Sequence, residues 1–346
     1  MKKKYQNAFF IFGLLVLAIM LTQLDYREVW SGVTRAGYWF LAVVALWFFL
    51  YFFNTAAWWV IIKSQAPLSG VPSVTGDQKL GAVTEGATPF SFLWLYKITI
   101  SGFALNYATP GGLMGGEPYR IMALAPKIGT KRATASVLLY VMTHIFSHFW
   151  FWLLACVLYI CTQELSVFML TLIACVAAFC LTAIWFFLKG YKRGIAATGI
   201  KLLRHIPFAR RWARPFFEEH AQQLAEIDRQ IAALHNQNPR TFVCAVGLEL
   251  ACRIASALEV FFILLVILPS ANFLQCILIL AFTSLFANML FFIPLQLGGR
   301  EGGFLMSVGG LGMTASAGIF VALLVRLREL IWTAIGLALI KFDKKT

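Results

Sequence analysis

Arginine and glutamate recur together inside apolar sequence in this chain of 346 residues, and four such places have spacings that suit chemistry. In "NYATPGGLMGGEPYR", residues 106–120, Glu117 and Arg120 stand three apart, on one face of a helix that begins after the glycines. Pro110 breaks the preceding segment, and Gly111, Gly112, Gly115 and Gly116 leave backbone N–H groups uncovered beside the positive end of that helix. Such an arrangement can receive an anionic headgroup; a glycine hinge for close helix packing is the competing reading, and Arg120 is what it leaves unexplained. A second segment, "IPLQLGGREGG" at 293–303, sets Arg300 and Glu301 among Gly298, Gly299, Gly302 and Gly303, after Pro294. Adjacent helical residues point different ways, so Glu301 is placed to pair with a group elsewhere. Third, "VALLVRLRELIWTAIGLALI" carries Arg326, Arg328 and Glu329 well inside an apolar helix. Guanidinium groups in a polar cavity bind phosphate bidentately, although Arg326 and Glu329 also have the spacing of a structural i, i+3 pair. Fourth, Glu249 and Arg253 stand at i, i+4, the spacing of an internal salt bridge with a structural or gating role; Glu259 follows further along.

Other chemistries find little support. His144 and His148 are also i, i+4, but no H-E-x-x-H and no nearby acidic ligand accompanies them, so a hydrogen-bonded core pair is expected and no metal. The glycine segments follow no strand and contain no Gly-Lys-Ser/Thr, which removes the dinucleotide and P-loop readings. Cysteines such as Cys156, Cys175, Cys180, Cys252 and Cys276 sit in apolar stretches without a C-x-x-C pair, so neither a disulfide framework nor a cofactor is expected. No nucleophile–base pair or Asp-rich magnesium motif is present, so catalytic residues are not assigned.

The elements that position these groups belong to a membrane. Hydrophobic residues make up 60% of the chain and charged ones 13%, about half of what a soluble domain carries. The net charge of +14 lies in short basic runs between apolar stretches, which topology and anionic lipid explain better than nucleic acid does. Apolar runs of spanning length predict full spans near 8–24, 38–62, 134–161, 166–188, 242–268 and 318–340. Because no small-x-small cleavage site follows the first run before Asp25, it is read as an uncleaved span rather than a signal peptide. Regions 91–125 and 273–316 are broken at their middles by the two glycine segments, and each is read as a re-entrant hairpin of two half-helices. The predicted fold is therefore an all-α polytopic membrane protein, a single transmembrane domain over 1–346 with about six full spans and two re-entrant hairpins. Lys2 to Lys4, Lys63, Lys127, the loop 189–240 and Lys341 fall on one side, against Arg27 and Arg35 in the opposite loops, so both termini are expected in the cytoplasm. The two breaks then approach the midplane from opposite faces, as in an inverted repeat of about 38–188 and 242–340 with its site between them. Within 189–240, Leu224, Ile227, Ile231 and Leu234 form one stripe of an amphipathic helix, read as lying at headgroup level or docking a partner.

The motifs "TPGGLMGGEPYRIMAL" and "IPLQLGGREGGFL", set among roughly 300 residues of apolar spans, resemble the lysylphosphatidylglycerol synthase transmembrane family, the flippase region of the bacterial multiple-peptide-resistance factors. The resemblance implies movement of an aminoacylated phospholipid across the bacterial inner membrane, with a separate soluble domain making that lipid. The sequence ends at Thr346, shortly after the last predicted span, so no aminoacyl transferase is expected and lysylphosphatidylglycerol is not named as substrate. Where the family has a small or apolar residue, this chain has Arg300, and the added positive charge favours an anionic lipid. The expectation is a flippase-like transporter of a phospholipid or polyprenyl-phosphate-type lipid. Its headgroup phosphate would be bound by Arg120, Arg300, Arg326 and Arg328, with Glu117, Glu301 and Glu329 holding those arginines or exchanging protons. The alternative is a membrane enzyme transferring a group to or from a lipid-phosphate carrier. Self-association and a partner enzyme that modifies the lipid complete the expected partners.

Overall fold

The computed structural model describes residues 26–64, 90–108, 115–193, 239–289 and 299–342. Among them are ten helices and no strand: α1 (Tyr26–Ala36), α2 (Tyr38–Ser64), α3 (Phe92–Ala108), α4 (Gly116–Ile128), α5 (Thr130–Thr162), α6 (Val167–Arg193), α7 (Pro239–Leu265), α8 (Phe273–Met289), α9 (Gly299–Gly310) and α10 (Ala315–Phe342). The predicted span 8–24, the residues Pro110, Gly111, Gly112, Pro294 and Gly298, and the amphipathic stretch of the loop 189–240 lie outside the described residues.

Three of the described helices, α2, α5 and the Val167–Lys189 part of α6, are long and apolar enough to cross a membrane. All three show apolar side chains outward: Phe48, Phe49 and Phe52 on α2, Trp150 and Val157 on α5, Phe168, Phe179 and Trp185 on α6. A helix that is hydrophobic all round needs lipid on any face the protein does not cover. Two others are as long, α7 with 27 residues and α10 with 28, but they carry charge near their centres. Each interruption predicted at a glycine segment separates two helices that touch: α3 ends at Ala108 and α4 begins at Gly116, α8 ends at Met289 and α9 begins at Gly299.

Helix α7 packs along α2 and α10 along α3, while α9 packs on both α8 and α10. The α3–α10 contact is close because Gly336 lacks a side chain: a Cβ there would stand 2.5 Å from the Ala104 Cβ. Ser101 uses this approach to donate its hydroxyl to the Gly336 carbonyl at 3.2 Å. Helices α4 and α5 are joined by Gly129 alone, at φ +84° and ψ 147°, a conformation that belongs almost only to glycine. That single residue ends α4 and lets Thr130 start α5 at once, so Arg120 is carried on a short helix braced against a long one.

Sequence reasoning missed α1 and placed its residues in a loop. Eleven residues containing Arg27, Glu28 and Arg35 fail any test for a span, yet Val29, Val33 and Ala36 recur at helical spacing. Ala36 is buried, Val33 packs on the main apolar cluster, and Gly32 brings α1 against Leu323 and Leu324 of α10.

Candidate functional site

The centre of α10 organises one connected set of charges. Glu329 ion-pairs with Arg300 at the start of α9 and accepts the hydroxyl hydrogen of Tyr107 at the end of α3. Arg300 also donates to the Tyr107 oxygen at 2.5 Å. The residues just before the first break and just after the second therefore meet on one carboxylate. One turn before Glu329, Arg326 reaches Glu301 at 2.5 Å and lies 3.7 Å from the second Glu329 oxygen. On the other side Arg328 makes a two-pronged contact with Glu259 of α7, 2.7 Å from Nε and 2.9 Å from Nη2, and lies 3.8 Å from Glu329. Trp47 of α2 donates its indole N–H to the same Glu259 at 3.0 Å, and its ring covers the Arg328 guanidinium at 3.8 Å.

Exposure divides this network. Arg328, Glu329 and Glu259 are at most 3% exposed, whereas the Arg300 and Glu301 side chains are 30% and 40% exposed. The inner part is a paired, aromatic-covered core, where charges survive burial because each finds an opposite partner, Arg328 and Glu259 doing so through two hydrogen bonds. The outer part borders a crevice too narrow for a water molecule, lined by Arg300, Glu301, Phe304, Arg326 and Glu329 among others. Two guanidinium groups face this crevice, each held by a carboxylate, and an incoming anion can compete for either.

The first break builds a separate cage. Arg120 is 1% exposed and pairs with Glu117 at 3.2 Å, one turn earlier on α4. Asn106 at the end of α3 clamps the pair: its amide donates to Glu117 at 2.9 Å, and its carbonyl accepts the Gly116 N–H at 2.7 Å. The Gly116 amide is thus directed inside the chain, to the opposite lip of the break. The rings of Phe103, Tyr140 and Trp58 stand 4.7, 5.4 and 5.9 Å from the guanidinium, which is the setting in which a desolvated arginine gains from π faces. A Cβ on Gly116 would lie 2.1 Å from the Gly102 carbonyl oxygen, and one on Gly102 would lie 2.4 Å from the Arg120 Nε. Both glycines are required for α3 and α4 to close on Arg120; Gly115 is the residue before α4, and Gly299 and Gly302 fall in the first turn of α9.

The expected direct pair between Glu249 and Arg253 does not form. Glu249 meets His144 Nδ1 at 2.7 Å, while Arg253 donates to the Ser147 hydroxyl at 2.7 Å and the His144 carbonyl at 2.8 Å. Helix α5 supplies nearer partners to each than they can supply to one another. His144 and His148 stack edge-on, with centroids 5.6 Å apart, and no group of three or more metal-binding side chains occurs among the described residues.

Asn106, Tyr107 and Trp47 were not anticipated as site residues. Tyr107 and Asn106 directly precede the first break, and a polar pair at that place was the available signal; Trp47 lies in a purely apolar run and offered none.

Described residues that are all helical in their regular structure, with exposed apolar faces, helices of spanning length and a buried charge network, point to a multi-pass membrane protein. Residues 8–336 match the family described as the lysylphosphatidylglycerol synthase transmembrane region, and the chain belongs to that family. No curated protein and no solved structure matches it.

Proposed function

We propose that the protein is a flippase-like transporter that carries a lipid with an anionic phosphate headgroup between bilayer leaflets. The observation that carries this reading is the junction at Glu329, where Tyr107 from one break and Arg300 from the other meet, the Arg300 and Glu301 side chains being partly exposed. In this reading Glu301 and Glu329 hold Arg326 and Arg300 until the phosphate displaces them, and the carboxylates re-pair with the arginines when the headgroup leaves. Arg328, tied to Glu259, and Arg120, tied to Glu117, brace the site from behind and from the first break. Acyl chains stay in the bilayer while the headgroup passes through the polar cleft.

The surrounding architecture is read as a single transmembrane unit of six spans and two re-entrant hairpins in inverted repeat, α3–α4 and α8–α9 being those hairpins. Both termini face the cytoplasm of a bacterial inner membrane, and an enzyme that modifies the lipid is the expected functional partner. The family's printed description, the transmembrane region of lysylphosphatidylglycerol synthase, supports a phospholipid substrate.

The test is reconstitution of the purified chain into vesicles with fluorescent lipids, followed by leaflet-specific quenching and mass spectrometry of the lipids. Transport predicts movement of intact anionic lipid that Arg300→Ala, Arg120→Ala and Glu301→Ala each slow. A covalently altered lipid on incubation with a donor would replace this reading with group transfer, and equal rates in wild type and all three variants would remove the site.

A further inference from the structure

Away from Glu329 lies a second buried cluster that the transport reading does not use. Its centre is the His144–Glu249 pair, 2.7 Å from Nδ1 to Oε2. An ionised carboxylate only accepts hydrogen bonds, so in this pair Nδ1 carries the hydrogen and the His144 Nε2 is left with a lone pair. The Glu249 carboxylate is 1% exposed, and its other oxygen, Oε1, is buried without a hydrogen-bond partner. The His144 side chain is 28% exposed, so the imidazole is the more accessible part of the pair.

The charged groups bearing on His144 are Glu249 and Arg253 from α7 and Arg120 from α4. From α5 itself His148 and Tyr140 pack against it, from α3 comes the neutral ring of Phe103, and from α2 comes Asn54, which accepts the Tyr140 hydroxyl hydrogen. Cys252 on α7 lies beside that Asn54. With neutral His144, Glu249 and Arg253 cancel and the cluster carries no net charge; a proton on Nε2 gives it one positive charge, held by the carboxylate. Phe103 and Tyr140 touch His144 on one side and the Arg120 guanidinium on the other. Protonating His144 therefore puts a new positive charge across two rings from the Arg120–Glu117 pair.

We propose that His144 and Glu249 form a proton-binding site that couples lipid movement to protons, one proton accompanying one anionic headgroup. This rests on the transport reading above and adds the coupled ion and its site. The proton that binds Nε2 neutralises, for the crossing step, the charge that the phosphate brings, and leaves from the same nitrogen on the other side. No covalent bond changes and no redox partner is needed.

The experiment uses the full chain in vesicles containing labelled phosphatidylglycerol and an internal pH-sensitive dye. An imposed pH gradient is expected to drive lipid movement in the direction of proton flow, with proton uptake that depends on the lipid. His144→Gln is expected to slow lipid movement without a gradient and to lose at least ten-fold of the gradient-driven part. Glu249→Gln keeps a hydrogen-bonding partner without the charge and is expected to move the midpoint of the pH profile towards acid. His148→Gln keeps the neighbouring packing under test and is expected to retain the response. Lipid movement in wild type that ignores pH, or a full response in His144→Gln, would overturn the coupling while leaving transport standing. No lipid movement in wild type at any pH would overturn the transport reading and the coupling with it.

Discussion

Removing Glu259 tests whether the inner half of the charge network is held as the geometry indicates. Both it and Arg328 are almost fully buried and meet through two hydrogen bonds of 2.7 and 2.9 Å. Taking one partner from a buried pair costs about 3–5 kcal/mol, because the remaining charge stays desolvated. Two local features bear on where in that range Glu259→Ala falls. Trp47 loses the acceptor of its indole N–H, which adds to the loss, since an unsatisfied buried donor costs about 1–3 kcal/mol. Glu329 stands 3.8 Å from the Arg328 Nη2 and remains to offset part of the charge. The second effect is the larger, because it acts on a full charge, so the expected loss is about 3 kcal/mol. Chemical unfolding in mixed micelles, followed by tryptophan fluorescence, measures it. The double variant Glu259→Leu with Arg328→Met removes both charges and keeps volume, and is expected to recover to within about 1 kcal/mol of wild type. A Glu259→Ala protein within about 0.5 kcal/mol of wild type, or a double variant no better than the worse single one, would refute the reasoning.

Gly116→Ala places a methyl group 2.1 Å from the Gly102 carbonyl and should abolish folded protein in size-exclusion chromatography, whereas Gly247→Ala, with nothing within 4 Å, should gain about 0.5–1 kcal/mol in the same unfolding assay. At Gly129 the clash is with the backbone and not with a neighbour, so alanine there should cost about 1–3 kcal/mol in that assay. Asn106→Leu removes two hydrogen bonds from the first break, one of them to a carboxylate, and should lower stability by about 2–4 kcal/mol and raise protease cutting near residue 116.

Much of this fold was legible because its strongest signal is local. Continuous apolar runs gave α2, α5 and α6, and the proline and glycine segments gave the places where α3 and α8 stop. The Glu117–Arg120 contact was readable for the same reason, since three residues on a helix fix the separation. Contacts between distant residues were not readable. Arg326 and Glu329 have the right spacing for each other, yet the closest partners of Glu329 are Arg300 and Tyr107, which chain connectivity brings from 29 and 222 residues away. Glu249 and Arg253 failed as a pair for that reason too, once α5 offered His144 and Ser147 at hydrogen-bonding distance. Helix α1 escaped notice because its eleven residues are too few to span, and three charged residues interrupt its apolar ones.

The central proposal is that an anionic headgroup passes where Tyr107 and Arg300 meet on Glu329, and the rate of headgroup-selective lipid movement addresses it most directly. In vesicles holding equal amounts of labelled anionic and zwitterionic lipid, wild type should move the anionic one faster by about ten-fold or more, the factor that 1.4 kcal/mol of selective phosphate stabilisation supplies. Arg300→Ala should erase that preference while the protein stays folded, and Tyr107→Phe should reduce it. An Arg300→Ala protein that keeps both the wild-type rate and the wild-type preference would contradict the proposal.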